Sequence, residues 1–242
     1  MAVHRPTLFT NREVLRFRRT PLLEFRVPYT FVNALNEGTL FDRALRVFEE
    51  AARTERLYDV VAGDDQCTIG VGMLQDTFKE ADGRHREEEL GGLMIHPTAR
   101  GIGIAPLLIK LILVHRYVVR SRGDTEEEYI AHVVDGNTGP IHALIEAGFR
   151  VIGPVKLHPG EFDGAVEHMI APGENFVPMH AYRFDRHAID NLVRDLWIFW
   201  HESRELTCSD LNVRLQVDFS DLVDPSLLDT EIQEIGRRGS FR

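Results

Sequence analysis

The residues best suited to chemistry lie in one stretch, Leu90-Gly-Gly-Leu-Met-Ile-His-Pro-Thr-Ala-Arg-Gly-Ile-Gly-Ile-Ala105. An apolar run ends at Ile95, His96-Pro97 stops it, and glycines open a long apolar-periodic segment. At the start of a helix there, the backbone N–H groups of Gly101, Ile102, Gly103, Ile104 and Ala105 have no partner and point outward beside the positive end of the dipole. A phosphate suits such a place, because small residues let its oxygens reach the backbone. A Walker A loop is excluded, since no Gly-Lys-Ser/Thr follows. A dinucleotide fingerprint fails too: Pro106 stands where close packing needs a third small residue, and Asp124 precedes the next strand. Just upstream, Glu87-Glu88-Glu89 places three carboxylates beside the apolar run. They form either a solvated charge run entering a strand or, once desolvated, a proton acceptor near neutral pH.

Elements on either side must hold these residues. Leu90–Ile95 is expected as a strand, Gly83–Glu89 as a charged loop leading into it, and Ala99–Val119 as a long helix with Ile104, Leu107, Leu108, Leu111, Ile112, His115 and Val118 at helical spacing. Before them, Leu23–Val27 alternates like a first strand, and Leu35–Ala52 has helical periodicity with Asn36 as its cap. Leu57–Ala62 and Cys67–Leu74 form a hairpin around Gly63-Asp64-Asp65. Afterwards come a strand at Tyr129–Val134, a short helix from Asn137 to Ala147 ended by Gly148, and strands at Phe149–Val155 and Ala165–Ile170. Strands interleaved with helices predict an α/β (α+β) sheet with helices on its faces.

The glycine stretch resembles the acyl-CoA loop of the GNAT superfamily of N-acyltransferases, whose Arg/Gln-x-x-Gly-x-Gly/Ala signature is similar to Arg100-Gly101-Ile102-Gly103-Ile104-Ala105. Met94-Ile95-His96-Pro97 resembles that family's strand exit, and Asn137 with Ala147-Gly148-Phe149 resembles its second block. The two blocks stand in the family's order with a strand between them. The resemblance implies a GNAT-like mixed, mostly antiparallel central sheet over residues 23–170. It implies acetyl-CoA as acyl donor, and direct attack by a primary amine with general-base assistance. The backbone from Gly101 to Ala105 would hold the pyrophosphate, the main chain of Met94 and Ile95 the pantetheine, and Asn137 would reach it from the far strand. Counting back eleven residues from Arg100, as the family's base position implies, gives Glu89, with Glu87 and Glu88 as alternatives. The family's thiolate-protonating Tyr falls at Leu144, a departure. His142, Tyr129 and Tyr182 are the remaining candidates for that role, and His96 lies near the expected thioester. A GNAT-like module that binds CoA without turnover is the alternative function.

Residues 171–242 lie outside the resemblance. They predict a helix over 186–202, an alternating strand over Leu211–Phe219 and a helix opened by Pro225, a helix-strand-helix extension. The apolar face carrying Trp197, Phe199 and Trp200 must be covered by the main body or by a second copy of the chain. Residues 1–22 are expected as an Arg-rich arm.

The composition bounds what else is feasible. The 242 residues carry 38 acidic against 28 basic side chains, a net of −10. The first 30 residues hold Arg5, Arg12, Arg16, Arg18, Arg19 and Arg26 against Glu13 and Glu24, a net of +4, so the rest stands at −14. An acidic body argues against nucleic acid or an anionic membrane as partner, and favours a cationic small molecule or peptide as the amine acceptor. The longest apolar run, Ile104–Val114, is about half a membrane span and contains Lys110. Two distant cysteines and histidines without metal spacing predict no disulfide scaffold, no metal and a cytoplasmic setting.

Overall fold

The element that organises the molecule is the helix behind the glycine loop. In the computed structural model, which describes residues 13–36, 38, 40, 42–63, 66–79, 85–120, 126–158, 167–208 and 213–239, it runs from Ile104 to Arg120 and is designated α3. Leu108, Ile109, Leu111, Ile112, Leu113 and Val114 are all fully buried. A helix that is apolar all round has to be covered on every side. A sheet supplies one side, and α4 (Thr138–Glu146) and α5 (Ile189–Glu202) pack on the rest.

That sheet has nine strands in the order β6-β7-β5-β4-β3-β2-β1-β9-β8. They are β1 (Val14–Arg19), β2 (Leu57–Ala62), β3 (Cys67–Lys79), β4 (His85–Ile95), β5 (Glu126–Val134), β6 (Phe149–Leu157), β7 (Val177–Phe184), β8 (Glu205–Cys208) and β9 (Val213–Asp218). Neighbours run antiparallel except β4 with β5 and β1 with β9, so the mixed, mostly antiparallel sheet flanked by helices stands as expected. The opposite face carries α1 (Arg26–Leu35) and α2 (Leu45–Arg53), packed over Val71, Met73 and Met94. No described helix is long and apolar enough to cross a membrane.

Five local expectations are corrected. Leu23–Val27 is not a strand: Leu22–Glu24 is a 3-10 turn, and α1 follows with Pro28 in its first turn, where a missing N–H costs nothing. The first strand is β1, inside the expected arm. Leu15 and Phe17 face the core there, while Arg18 reaches Asp59 and Glu24, and Arg19 reaches Glu55. The periodic stretch Leu35–Ala52 is two segments. Asn36 closes α1 and shapes the connection to α2: its Oδ1 accepts from Leu40 N–H at 3.0 Å, and its Nδ2 donates to Leu40 O at 3.0 Å. Glu87–Glu89 belongs to β4 rather than to a loop. Of the strand expected at Ala165–Ile170, Glu167–Met169 is a 3-10 turn, and β7 takes the place between β5 and β6.

The extension folds as α5, the β8–β9 hairpin and α6 (Pro225–Gly239). β9 joins the sheet edge at β1, and the Trp200 ring lies 4.7 Å from that of Phe219. The aromatic face of α5 is thus packed on the chain's own core. Residues 1–12, Asp64, Asp65, Asp124, Ala165, Val166, Leu211 and Asn212, which entered the sequence expectations, lie outside the described residues.

Candidate active site

Parallel pairing between β4 and β5 runs from His85↔Glu126 to Glu89↔Ile130 and ends there, although both strands continue. The cause is a bulge in β4. Gly91 and Met94 pair with Met73 and Val71, so three steps on β4 face two on β3, and Gly92 takes φ +60°. An extra residue bends the bulged strand away from its neighbour. Leu90–Leu93 and Ala131–Val134 then become the walls of a gap, and Asn137 stands at its far end.

Outward from this gap, a cleft of about 530 Å³ runs between the ends of β4, the start of α3 and α4. Met94, Ile95, Arg100, Gly101, Gly103, Ile104, Ala105 and Asn137 all line it. Of the expected donor-binding residues only Ile102 does not line the cleft; its side chain, with those of Ile95 and Ile104, is buried in the core and anchors the loop. Gly101 and Gly103 hold φ +81° and +89°, a conformation that L side chains rarely adopt. Arg100 folds back, its Nε donating to Ile95 O at 3.1 Å. Leu107 N–H donates to Gly103 O at 3.2 Å, opening the ladder of α3, and Pro106 has no N–H to satisfy. The N–H groups of Ile104 and Ala105 have no acceptor in a preceding turn. They make this helix start a natural anion cradle. Leu206 of β8 braces the loop from outside, 3.5 Å from where a Cβ on Gly103 would stand.

Alternation along β4 separates the three glutamates. Glu88 is fully buried on the α3 side, held by Arg116 at 2.5 Å and by Arg56 at 2.8 Å, so it is a structural carboxylate. Glu87 accepts from Thr77 Oγ1 at 2.8 Å. Glu89 is 7% exposed and lines the inner gap, with Oε1 3.2 Å from His132 Nδ1. The hydrogen bond to Glu89 raises the His132 pKa above its ordinary value, and burial opposes it. His132 went unrecognised from sequence, because its partner is 43 residues away and only the β4–β5 register brings them together.

The other candidates lie elsewhere. His142 is on the exposed side of α4, with Glu146 along the outer cleft, while Glu89 lines the inner gap. Leu144 is buried and forms part of the inner wall. Tyr129 packs in the core against Phe184, with ring centres 6.4 Å apart. Tyr182 is buried, and desolvation followed by the nearby Asp135 charge pushes its hydroxyl pKa up. His96 bonds to Thr98 at 2.8 Å and caps the 3-10 turn after β4; burial, then Arg100, lowers its pKa.

The sequence matches no model of a known family and no characterised protein in direct comparison. The fold does have counterparts among solved structures. A chain of the NatC complex bound to Gag peptide and CoA superposes with TM-score 0.51 and 15% identity, covering 70% of this chain and 97% of the other. Arabidopsis thaliana NAA60 in complex with a bisubstrate analogue gives 0.50 and 16%, again over 70% and 97%. An acetyltransferase of the GNAT family from Streptococcus pneumoniae gives 0.49 and 13%, over 70% and 98%. With β4 and β5 parting beside a glycine loop at the head of α3, the chain has the GNAT acetyltransferase fold.

Proposed function

We propose that the protein is an acyl-CoA-dependent N-acyltransferase that moves an acetyl group from acetyl-CoA to a primary amine. The observation that carries this is the continuity of the parted β4–β5 gap with the anion cradle of α3, with the Glu89–His132 pair at its inner end. The N–H groups of Gly101–Ala105 hold the pyrophosphate. The main-chain edge of β4 at Met94 and Ile95, which β5 leaves unpaired and where Arg100 bonds to Ile95 O, takes the pantetheine as an added strand, with Asn137 opposite. Resident CoA in the NatC neighbour supports the same donor.

The amine arrives protonated and has to lose a proton before its nitrogen can attack. With His132 Nδ1–H donating to Glu89, Nε2 is left to accept that proton, and the carboxylate stabilises the imidazolium that results. A C–N bond forms as the C–S bond breaks, and the departing thiolate takes up, directly or through water, the proton that the nitrogen sheds in becoming an amide. No covalent enzyme intermediate is needed, so the chain needs no activated Ser or Cys.

The test is calorimetric binding of acetyl-CoA, followed by thiol release when amines are supplied. Absence of binding would refute the proposal; binding without thiol release against a broad amine panel would make the protein a CoA-binding module. Gly103→Val puts a branched side chain at φ +89° and against Leu206. It is expected to weaken acetyl-CoA binding about 10–100-fold without unfolding the sheet. An unchanged Kd would remove the loop from the donor site.

A further inference from the structure

We infer that Leu144 gauges the length of the acyl chain and restricts the donor to acetyl- and propionyl-CoA. The inference rests on the acyltransferase function proposed above and specifies the donor class of that site. Leu40, Leu93, Asn137 and Pro140 line both the outer cleft and the inner gap, so they form the neck between the two. Leu144 lies one turn beyond Pro140 on the same face of α4 and lines the gap but not the cleft, so it stands past the neck. The gap passes through the sheet, and alternation along β4 and β5 gives its two sides different chemistry. Glu89 and His132 line one side. Leu90, Ala131, Val133 and Leu144 line the other, all of them buried members of the core around α3.

A thioester carried along β4 arrives at the neck with its carbonyl facing this divided gap. The amine gives its proton to His132, so it approaches from the polar side. An alkyl group on that side would strip water from the Glu89 carboxylate without replacing it by a hydrogen bond. The apolar side therefore takes the alkyl group, and there the space is short. The gap measures about 60 Å³, room for about five atoms the size of a water oxygen. The carbonyl carbon, its oxygen, a methyl group and the attacking nitrogen take nearly all of it, and one further methylene fills it. Leu144 is 2% exposed within a close-packed core, so the wall does not yield without displacing its neighbours. A longer chain has to push Leu144 aside or leave the gap and forfeit the seat of its carbonyl.

The experiment is calorimetric binding of CoA and of acetyl-, propionyl-, butyryl- and hexanoyl-CoA to the purified chain, which needs no acceptor. Acetyl- and propionyl-CoA are expected to bind alike and hexanoyl-CoA about 10–200-fold more weakly, the worth of methylenes that an apolar pocket cannot hold. Leu144→Ala removes about three carbons from the wall and should raise the affinity for hexanoyl-CoA relative to acetyl-CoA about 10-fold or more. Leu144→Val removes a single methylene and should admit butyryl-CoA; it decides the matter if Leu144→Ala does not fold. Affinity for CoA itself should be the same in all folded variants, because the pyrophosphate and pantetheine contacts lie elsewhere. Ile145→Ala, at a neighbouring side chain that is 56% exposed and lines neither cavity, should leave the acyl order as it is. Hexanoyl-CoA binding as tightly as acetyl-CoA to the unaltered chain overturns the inference, and so does an acyl order that the Leu144 variants do not move. Either result leaves the acyltransferase function standing. Failure to bind CoA and every one of its thioesters refutes the proposed function itself.

Discussion

Replacing Glu89 by Gln is expected to lower kcat with an amine acceptor about 10²–10⁴-fold while leaving acetyl-CoA affinity unchanged. Gln preserves the volume and one hydrogen bond to His132, so the strand and the cleft survive the change. What it removes is the charge that makes His132 a better proton acceptor, since the Glu89 hydrogen bond is the largest cause of the raised His132 pKa. The neutral imidazole is the form that accepts the proton. The rate should therefore rise with pH through the His132 pKa, on a limb above the ordinary histidine value of about 6.5. In the Gln variant that limb moves to lower pH and the plateau falls. The same coupling bears on stability. The Glu89–His132 pair contributes most below the unfolded histidine pKa, and its contribution is lost as pH rises through the raised folded one. Steady-state rates across pH at saturating acetyl-CoA read both effects. Unchanged turnover would remove Glu89 from the chemistry, and a limb that stays in place would mean that the group titrating is not His132.

The glycine loop of the proposed donor half was legible in the sequence because it is written in backbone requirements. Gly101 and Gly103 are needed where φ is positive, and Gly148 ends α4 at φ +93°, so residue type alone locates the loop and the helix boundary. The proposed acceptor half is written in contacts between distant residues. Glu87-Glu88-Glu89 looks like a solvated run because the groups that neutralise Glu88, Arg56 and Arg116, are 32 and 28 residues away. His132 joins Glu89 only through the register of β4 on β5. The alternation of Leu15 and Phe17 in β1 was hidden by arginines whose charges are consumed by Asp59, Glu24 and Glu55. Composition reports density of charge, and the proposed function depends on which face each charge takes.

Glu88, one residue from the proposed catalytic carboxylate, should behave in the opposite manner. Glu88→Ala is expected to cost about 3–5 kcal/mol of folding free energy, because it leaves two buried guanidinium groups without the carboxylate they share. Arg116 holds it through Nη2 at 2.5 Å and Nε at 3.1 Å, and Arg56, itself 2.7 Å from Asp76, holds it at 2.8 Å. In a chain of this size that loss lowers the melting temperature by roughly 6–20 °C. The remedy distinguishes charge from volume: combining Glu88→Leu with Arg116→Met removes opposite charges together and should recover much of the loss, since a buried pair adds little over well-packed apolar groups. This cluster ties β4 to α3 and, through Arg56, to Asp76 of β3 and to the start of β2, and that fixes the rotation of β4. Alternation then obliges Glu89 to face the gap. Glu88→Ala should therefore move the melting curve far more than Glu89→Gln does, and Glu89→Gln should move turnover far more than the surviving folded fraction of Glu88→Ala. If the two variants exchange these effects, β4 presents its other face to the cleft, and both the buried cluster and the proposed base have been placed on the wrong sides of the sheet.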